Sequence, residues 1–156
     1  MRKGGTLEAL GRLLAMASVA AAAGCGGSPI TSARIERAIG PTFANLVEAQ
    51  ISRVGLPAVA ASSISVTASC RKQMPGGSSG GAGDWMCVLM WHGPNQAMMR
   101  DSYDLTVTMD GCYTAVVDSA EATLGGPVIL GANGDEVKNL LYAFEGCFDT
   151  APRAGS

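Results

Sequence analysis

An apolar stripe with helical spacing runs through residues 32–54 and predicts an amphipathic helix near the start of the folded region. Thr31 or Ser32 can cap its first turn. Pro41 interrupts the pattern, so the segment is either one kinked helix or two helices that break at Gly40. We interpret the stripe as the face of a helix that covers a sheet. Its members recur three or four positions apart: Ile35, Ile39, Phe43, Leu46, Val47, Ile51 and Val54.

Alternation with a period of two follows and predicts four antiparallel strands. The strands are Ile64–Cys70, Trp85–Trp91, Tyr103–Met109 and Cys112–Val117. The second is apolar on both faces and reads as a central strand, and the Gly/Ser-rich residues 71–83 before it predict a surface loop. Asp110-Gly111 indicates a two-residue hairpin turn. Such a turn places Met109 opposite Cys112, so we expect both side chains on the apolar face.

The C-terminal third is predicted to hold one more helix. Val137, Leu140, Leu141 and Phe144 have helical spacing. Asn133 or Asp135 can cap this short helix, and Gly146 can close it. Residues 118–131 have no clear period; within them, Pro127–Leu130 is either a short edge strand or a buried loop.

The order of elements predicts an α+β fold: an N-terminal helix, a four-stranded antiparallel meander and a short C-terminal helix, with the helices on one face of the sheet. The order resembles a cystatin-like arrangement, an analogy at the level of fold that carries no function.

The first 25 residues carry the features of an export signal. A basic start precedes the apolar run Leu13–Ala23, which is shorter than the roughly 20 residues that span a bilayer. Ala22-Ala23-Gly24-Cys25 resembles a bacterial lipobox, with Ala22 where Leu is preferred. The resemblance implies that the signal peptide is removed and that Cys25 is acylated, as by palmitate, which anchors the protein on the extracytoplasmic face of the cell membrane. The alternative is an ordinary signal peptide that leaves Cys25 as an odd thiol.

The expected division of the chain follows from this signal. It comprises a signal peptide at 1–24, a lipidated tether at 25–31, a single α+β domain at 32–150 and a disordered tail at 151–156.

The four other cysteines predict two disulfides, as expected for an exported chain. Cys70 ends one predicted strand and Cys87 begins the next, so a hairpin brings them together. A helix packed on the apolar face would bring Cys147 toward Cys112. We therefore expect the pairs Cys70–Cys87 and Cys112–Cys147, and a zinc site is disfavoured because the chain has no CxxC spacing and one histidine.

Charge argues against nucleic acid as a partner. The chain has 11 basic and 13 acidic residues. Residues 1–24 hold three of the basic and one of the acidic residues, so the remaining chain carries a net charge of −4. Nucleic-acid-binding domains present a basic patch instead.

Two motifs suggest chemistry that their context does not support. Gly76-Gly77-Ser78-Ser79-Gly80 matches the nucleophile elbow of serine hydrolases in letters only, because it lies in a Gly/Ser tract rather than between a strand and a helix. Of Asp101, Asp104 and Asp110, the last two share a polar face but lie roughly 20 Å apart along a strand, too far to share a metal or a proton.

The strongest chemical candidate is a cluster of soft ligands in one short segment. Thioether and imidazole groups suit Cu(I) in an oxidising compartment, although methionines also fill gaps in cores. The candidate ligands are Met90, His92, Met98 and Met99.

Several short motifs resemble small actinobacterial lipoproteins of unknown function. They are the lipobox, Ile39-Gly40-Pro41-Thr42-Phe43-Ala44, Trp85 with Cys87, Tyr103-Asp104, Asp110-Gly111-Cys112-Tyr113 and Phe144-Glu145-Gly146-Cys147. The resemblance implies an address and no mechanism. We expect a non-enzymatic module without a cofactor, tethered to the membrane, that binds an envelope protein or a cell-wall component; the alternative is a copper-binding lipoprotein.

Overall fold

The computed structural model describes residues 30–73, 80–93, 95–118 and 124–151. These residues form one α-helix, a five-stranded antiparallel sheet and a separate two-stranded hairpin, so the α+β class is confirmed. The expected signal peptide, Cys25, Ser78 and residues 152–156 lie outside the described residues. In chain order the elements are α1 (Ser32–Arg53), a 3-10 turn (Ala61–Ser63), β1 (Val66–Lys72), β2 (Gly83–His92), β3 (Met98–Val107), β4 (Cys112–Val117), β5 (Val128–Leu130), β6 (Glu136–Lys138) and β7 (Ala143–Cys147).

Helix α1 is one continuous helix, so the alternative of two helices is wrong. It is not N-terminal in the chain, since it begins at Ser32. Thr31 caps it, its hydroxyl oxygen accepting the Arg34 N–H at 3.4 Å. Pro41 is tolerated because it lies on the exposed side of the helix, where water can satisfy the carbonyl that loses its donor. No helix within the described residues has both the length and the apolar character needed to cross a membrane.

The main sheet has the strand order β1-β2-β3-β4-β7, and every pair is antiparallel. Each of the four predicted strand segments overlaps a strand, although β1 begins at Val66 rather than Ile64 and β3 ends at Val107 rather than Met109. The sheet nevertheless has five strands rather than the four of the predicted meander, because Ala143–Cys147 pairs with β4 as β7. The predicted C-terminal helix is therefore wrong: Val137 lies in β6, and Phe144 lies in β7.

The hairpin between β3 and β4 turns through three residues rather than two. The Gly111 N–H donates to the Thr108 carbonyl at 3.0 Å, and the Thr108 N–H donates to the Cys112 carbonyl at 2.8 Å. Gly111 has a φ of 85°, whereas Asp110 is not among the residues with positive φ. A two-residue type I′ turn needs positive φ at both central residues, so the chain forms a type I turn followed by a glycine bulge.

This extra residue reverses the predicted orientation of Cys112. Val107 pairs with Tyr113, so Tyr113 faces the core and Cys112 faces the opposite side of the sheet. Met109 lies in the turn and is 85% exposed. The expectation that Met109 and Cys112 both point inward is therefore wrong.

The same kind of turn joins β5 to β6. The Gly134 N–H donates to the Gly131 carbonyl at 3.0 Å, and the Gly131 N–H donates to the Asp135 carbonyl at 2.8 Å. Asn133 and Asp135, expected to cap a helix, lie in this turn instead. Of the two interpretations of Pro127–Leu130, the strand is correct, since Val128–Leu130 forms β5.

An aromatic cluster fills the centre of the core between α1 and the sheet. The Phe43 ring lies 4.7 Å from Trp91, 5.9 Å from Tyr103 and 6.0 Å from Phe144. The Tyr103 hydroxyl donates to the Leu141 carbonyl at 2.7 Å. Burial, with a smaller contribution from nearby Asp101, raises the pKa of Tyr103 far above its ordinary value. Tyr103 is therefore a neutral hydrogen-bond donor.

Both disulfides of the expected pairing are present, Cys70–Cys87 and Cys112–Cys147. Each joins residues directly opposite each other on neighbouring strands. The Cys70 N–H points away from β2 and donates to Glu36 at 2.8 Å. Cys70 and Cys87 thus occupy a non-hydrogen-bonded pair, where opposite side chains come closest. Cys70–Cys87 lies on the core face beneath α1, while Cys112–Cys147 lies on the other face.

Candidate functional site

An apolar cavity of about 440 Å³ opens at one end of the core. It lies between the C-terminal half of α1, the connection from β2 to β3 and the β5–β6 hairpin. Cavities of this size accommodate small molecules when their walls are mostly apolar and carry few polar groups. Its lining residues are Val47, Gln50, Ile51, Val54, Leu56, Trp91, Gly93, Asn95, Met99, Leu124, Ile129, Asn139 and Leu141.

Two sequence patterns produce the inner walls of this cavity. Helical spacing places Val47, Ile51 and Val54 on the side of α1 that faces the sheet. On the sheet, Trp91 of β2 pairs directly with Met99 of β3. Two directly opposite residues share a face, so the indole and the thioether form a continuous apolar wall.

The segment that carries β5 and β6 forms the third wall and is held in place by Asn139, which is 1% exposed. Its Nδ2 donates to the carbonyls of Leu124 at 3.0 Å and Gly126 at 2.9 Å. Its Oδ1 accepts the Leu141 N–H at 3.1 Å. Ile129 and Leu124 are thereby positioned against the helix, and the side-chain amide of Asn139 has no donor left to offer.

Gln50 is the polar exception in the apolar stripe of α1. It is 6% exposed, and its Oε1 accepts the Leu140 N–H at 2.7 Å. Its Nε2 is buried without a hydrogen-bond partner. The amide cannot be flipped to remedy this, because the Leu140 N–H is a donor and requires the oxygen. A buried unpaired donor costs roughly 1–3 kcal/mol, and this nitrogen has almost no accessible surface.

Among the residues that the structure describes, none that lines the cavity is Asp, Glu, Lys, Arg or His. An ionised ligand buried here would have no counter-charge among the lining residues, and burying an unpaired charge is strongly unfavourable. A second cavity of about 290 Å³, which includes His92 and Ser65 in its lining, adjoins the first at Val47, Ile51 and Gly93. The chemistry of the first cavity therefore suits a neutral, largely hydrocarbon molecule.

The strand register places three of the four candidate copper ligands on one face of the sheet. His92 and Met98 are directly opposite each other on β2 and β3. Alternation along β2 places Met90 on the same face as His92. Met99 lies on the other face, where it lines the apolar cavity. The four residues thus do not form one ligand set.

The three aspartates are separated by the fold. Asp101 is 1% exposed, on the core side of β3, and Asp104 accepts a hydrogen bond from Gln73 at 2.6 Å. Asp110 accepts hydrogen bonds from the Thr108 hydroxyl and the Cys112 N–H, which lower the pKa of its carboxyl. Across the described ranges, no three His, Cys, Asp or Glu residues come close enough to hold a metal ion.

Sequence reasoning missed the apolar cavity altogether. One signal was present: Gln50 falls on the apolar stripe of α1, three residues after Val47 and four before Val54. A polar side chain at such a position needs a buried partner. The cavity itself was not visible, because its third wall belongs to the segment after residue 118 that has no clear period.

No family model matches this chain, and comparison with curated proteins and with solved structures yields no match. The resemblances to small actinobacterial lipoproteins and to a cystatin-like arrangement therefore remain predictions from the sequence.

Proposed function

We propose that this protein is an acylated lipoprotein on the extracytoplasmic face of the cell membrane, whose domain is a non-enzymatic module that binds an apolar small molecule. The export signal around Gly24-Cys25 supports the location. The two disulfides agree with it, because such bonds persist in oxidising compartments.

The observation that carries the binding function is the apolar cavity beside Trp91. It lies within the range of about 300–1,000 Å³ typical of ligand sites. Its walls are mostly hydrocarbon from three separate parts of the chain, and the polar side chains among its described lining residues are those of Gln50, Asn95 and Asn139. An envelope ligand of low polarity fits this site better than it fits the exposed surfaces of the strands. The concave apolar wall removes most of the ligand's surface from water.

Binding of a neutral fluorescent dye such as Nile red tests the proposal. We expect saturable binding of one dye per protein. Ile129→Trp, which fills the cavity from the hairpin side, should abolish it. Val128→Trp is the matched control, because Val128 is the neighbouring residue of β5, is half-exposed and does not line the cavity. Equal binding by wild type and Ile129→Trp would exclude the cavity as the site.

The location is tested separately in cells that express the full chain. Metabolic labelling with palmitate should mark the wild type and not a Cys25→Ser variant. Mass spectrometry should find diacylglycerol on a chain that begins at residue 25. A full-length cytosolic chain with all its thiols open to alkylation would contradict the proposed location.

Copper binding is the second candidate, and the register of β2 and β3 supports it. His92 and Met98 are opposite residues, and Met90 shares their face, so imidazole and two thioethers can approach one Cu(I) ion. Competition with a Cu(I) chelator should show one bound ion, and His92→Ala or Met98→Leu should lose it. Met99→Leu is the matched control, since Met99 lies on the other face. Loss of binding in the control, or no binding by the wild type, would refute this candidate.

A further inference from the structure

We propose that the anchored domain is oriented with the end that holds Ile30 against the lipid surface, so that the apolar cavity faces away from the bilayer. This inference rests on the proposed acylation of Cys25 and adds the surface that the domain presents to the membrane. It follows from the length of the tether, the place where the tether joins the fold and the direction in which α1 and the strands run.

The tether joins the fold at a fixed point. Ile30 is 2% exposed, and its carbonyl accepts the Gly81 N–H at 2.8 Å. The next residue, Thr31, forms an isolated bridge with Gly80. Only the segment between Cys25 and Ile30 can therefore separate the domain from its lipid anchor. Five peptide links join these two residues, and a fully extended chain covers at most about 18 Å over that length.

Ile30 lies at the end of the domain where β2 begins, here called the anchored end. The strand register brings the last residues of β3 to the same end, since Gly83 pairs with Val107. The β3–β4 turn therefore lies there too. The segment that follows β7 also packs at this end, because the Arg34 guanidinium donates to the Asp149 carbonyl at 3.4 Å.

The cavity lies at the opposite end of the domain. The Arg53 carbonyl, at the end of α1, accepts the Ala132 N–H of the β5–β6 hairpin at 3.0 Å. Val54 and Gly93, which directly follow α1 and β2, line the cavity. Leu56, another lining residue, is 47% exposed and marks where the cavity meets solvent. The 22 residues of α1 and the ten of β2 each span about 33 Å between the two ends.

The two lengths together determine which end can face the membrane. The tether, at most about 18 Å long, reaches little more than half of the roughly 33 Å that α1 spans. An inverted domain would need a tether that runs its whole length, and five peptide links cannot do so. The anchored end therefore stays toward the lipid, and a ligand enters the cavity from the aqueous side rather than directly from the bilayer.

The exposed side chains of the anchored end suit a lipid surface. Met109 in the β3–β4 turn is 85% exposed, and contact with the headgroup region would remove apolar surface from water. The turn is held to the segment after β7, because the Phe148 N–H donates to the Gly111 carbonyl at 3.0 Å. Arg37 and Asp110 are both exposed near this end. Since charges of both signs occur there, we expect the same orientation on zwitterionic lipid.

Paramagnetic broadening of NMR signals tests the orientation with the lipidated chain in phosphatidylcholine nanodiscs. Mass spectrometry first establishes that Cys25 carries diacylglycerol. A gadolinium chelate on a small fraction of the lipid headgroups then broadens the amide signals of residues near the membrane, and a lutetium chelate gives the diamagnetic reference. We expect the amides of Gly111 and Asp149 to lose most of their intensity. Those of Gln96 and Gly134, in the turns at the cavity end, should be nearly unaffected.

Two insertions of the same composition test whether the tether sets the orientation. About 20 Gly and Ser residues inserted between Ser28 and Pro29 give the tether a root-mean-square length of about 25–30 Å, comparable with the domain itself. The difference in signal loss between the two ends should then largely disappear. The same residues added after Ser156 are the matched control, and they should leave the difference unchanged.

The outcomes separate this inference from the proposed location. If Cys25 carries no lipid, the proposed location fails, and this inference fails with it. If the lipidated chain shows equal signal loss at both ends, as a domain lying on its side would, or greater loss at Gln96 and Gly134, the orientation is overturned while the location stands. A difference that persists unchanged with the lengthened tether would also overturn the inference, because tether length would then not be its cause.

Discussion

Mild reduction of the folded protein is expected to open the Cys112–Cys147 bond first and to leave the Cys70–Cys87 bond intact. Thiol–disulfide exchange requires the attacking thiolate to reach a sulfur atom. Cys147 is exposed and Cys112 is half-buried. In contrast, Cys87 is 0% exposed and Cys70 is 8% exposed beneath α1. The two bonds therefore differ in access, although both join opposite residues of neighbouring strands.

The size of the effect can be worked from the loops that the bonds close. Cys112 and Cys147 are 35 residues apart, and Cys70 and Cys87 are 17 apart. In the chain-entropy model these loops correspond to about 4 and about 3 kcal/mol of stabilisation. A domain of ordinary stability, about 5–15 kcal/mol, remains folded after losing the first. After the first bond is reduced, the buried bond becomes accessible only when the domain opens. Each 1.4 kcal/mol of free energy that this opening requires slows reduction of the buried bond about tenfold, so we expect at least a tenfold difference in rate.

The assay is a time course with a low concentration of dithiothreitol at neutral pH. Alkylation stops the reaction, and peptide mapping shows which cysteines have become free. Urea unfolding of the singly reduced protein should show the loss of about 4 kcal/mol.

A pair of variants tests whether α1 protects the buried bond. Glu36 accepts the Cys70 N–H at 2.8 Å, so Glu36→Ala should accelerate reduction of Cys70–Cys87 without changing the rate for the exposed bond. Glu48→Ala is the matched control. Glu48 lies on the same helix, but it accepts the Ala61 N–H at 3.1 Å, and Ala61 is distant along the chain from both cysteines of the buried disulfide. Simultaneous reduction of both bonds in the wild type, or earlier reduction of Cys70–Cys87, would refute the assignment of the two bonds to opposite faces.

Four further perturbations probe the core and the turns. Phe43→Ala should lower the free energy of unfolding in urea by about 3–5 kcal/mol, because it empties the centre of the aromatic cluster; a loss below about 1.5 kcal/mol would contradict that position. Tyr103→Phe should cost about 1–2 kcal/mol in the same assay, since the Leu141 carbonyl loses its donor. Asp110 has a lowered pKa, so thermal melts at different pH values should show wild type more stable than Asp110→Asn above the ordinary pKa of 3.8, with this advantage lost as the pH falls through the folded pKa. Gln96 has a φ of 63°, so Gln96→Gly should raise the melting temperature, by relieving about 1–2 kcal/mol of strain against a smaller entropic cost; a lowered melting temperature would contradict this.

The elements that could be predicted from sequence are those with a strong local period. The stripe of α1 and the alternation of β1 to β4 each reflect one face against the core, and such a pattern needs no knowledge of the neighbours. The Cys70–Cys87 pair also followed from strand order. For Cys112 and Cys147, however, the pairing was right while the reason was wrong, because two neighbouring strands rather than a helix and a strand bring them together.

The elements that could not be predicted depend on contacts between distant parts of the chain. Leu140, Leu141 and Phe144 have helical spacing, yet Ala143–Cys147 pairs with the free edge of β4, whose hydrogen-bonding groups a short helix would leave unpaired. The turn at Asp110-Gly111 shows the same limit on a smaller scale. Its letters allow both a two-residue and a three-residue loop, and only the packing of Tyr113 on the core side distinguishes them.

The amino-acid sequence by itself determined which segments fold into α1 and the first four strands, and that Cys70 pairs with Cys87 across neighbouring strands, because each depends on spacing along the chain. Only the tertiary structure decided where a ligand could bind. The cavity needs α1, the end of the β2–β3 pair and the β5–β6 hairpin to meet, and Gln50 becomes an unpaired donor only once Leu140, 90 residues along the chain, takes its oxygen. Such a site depends on which distant segments meet in the fold, and a local pattern of residues does not determine that.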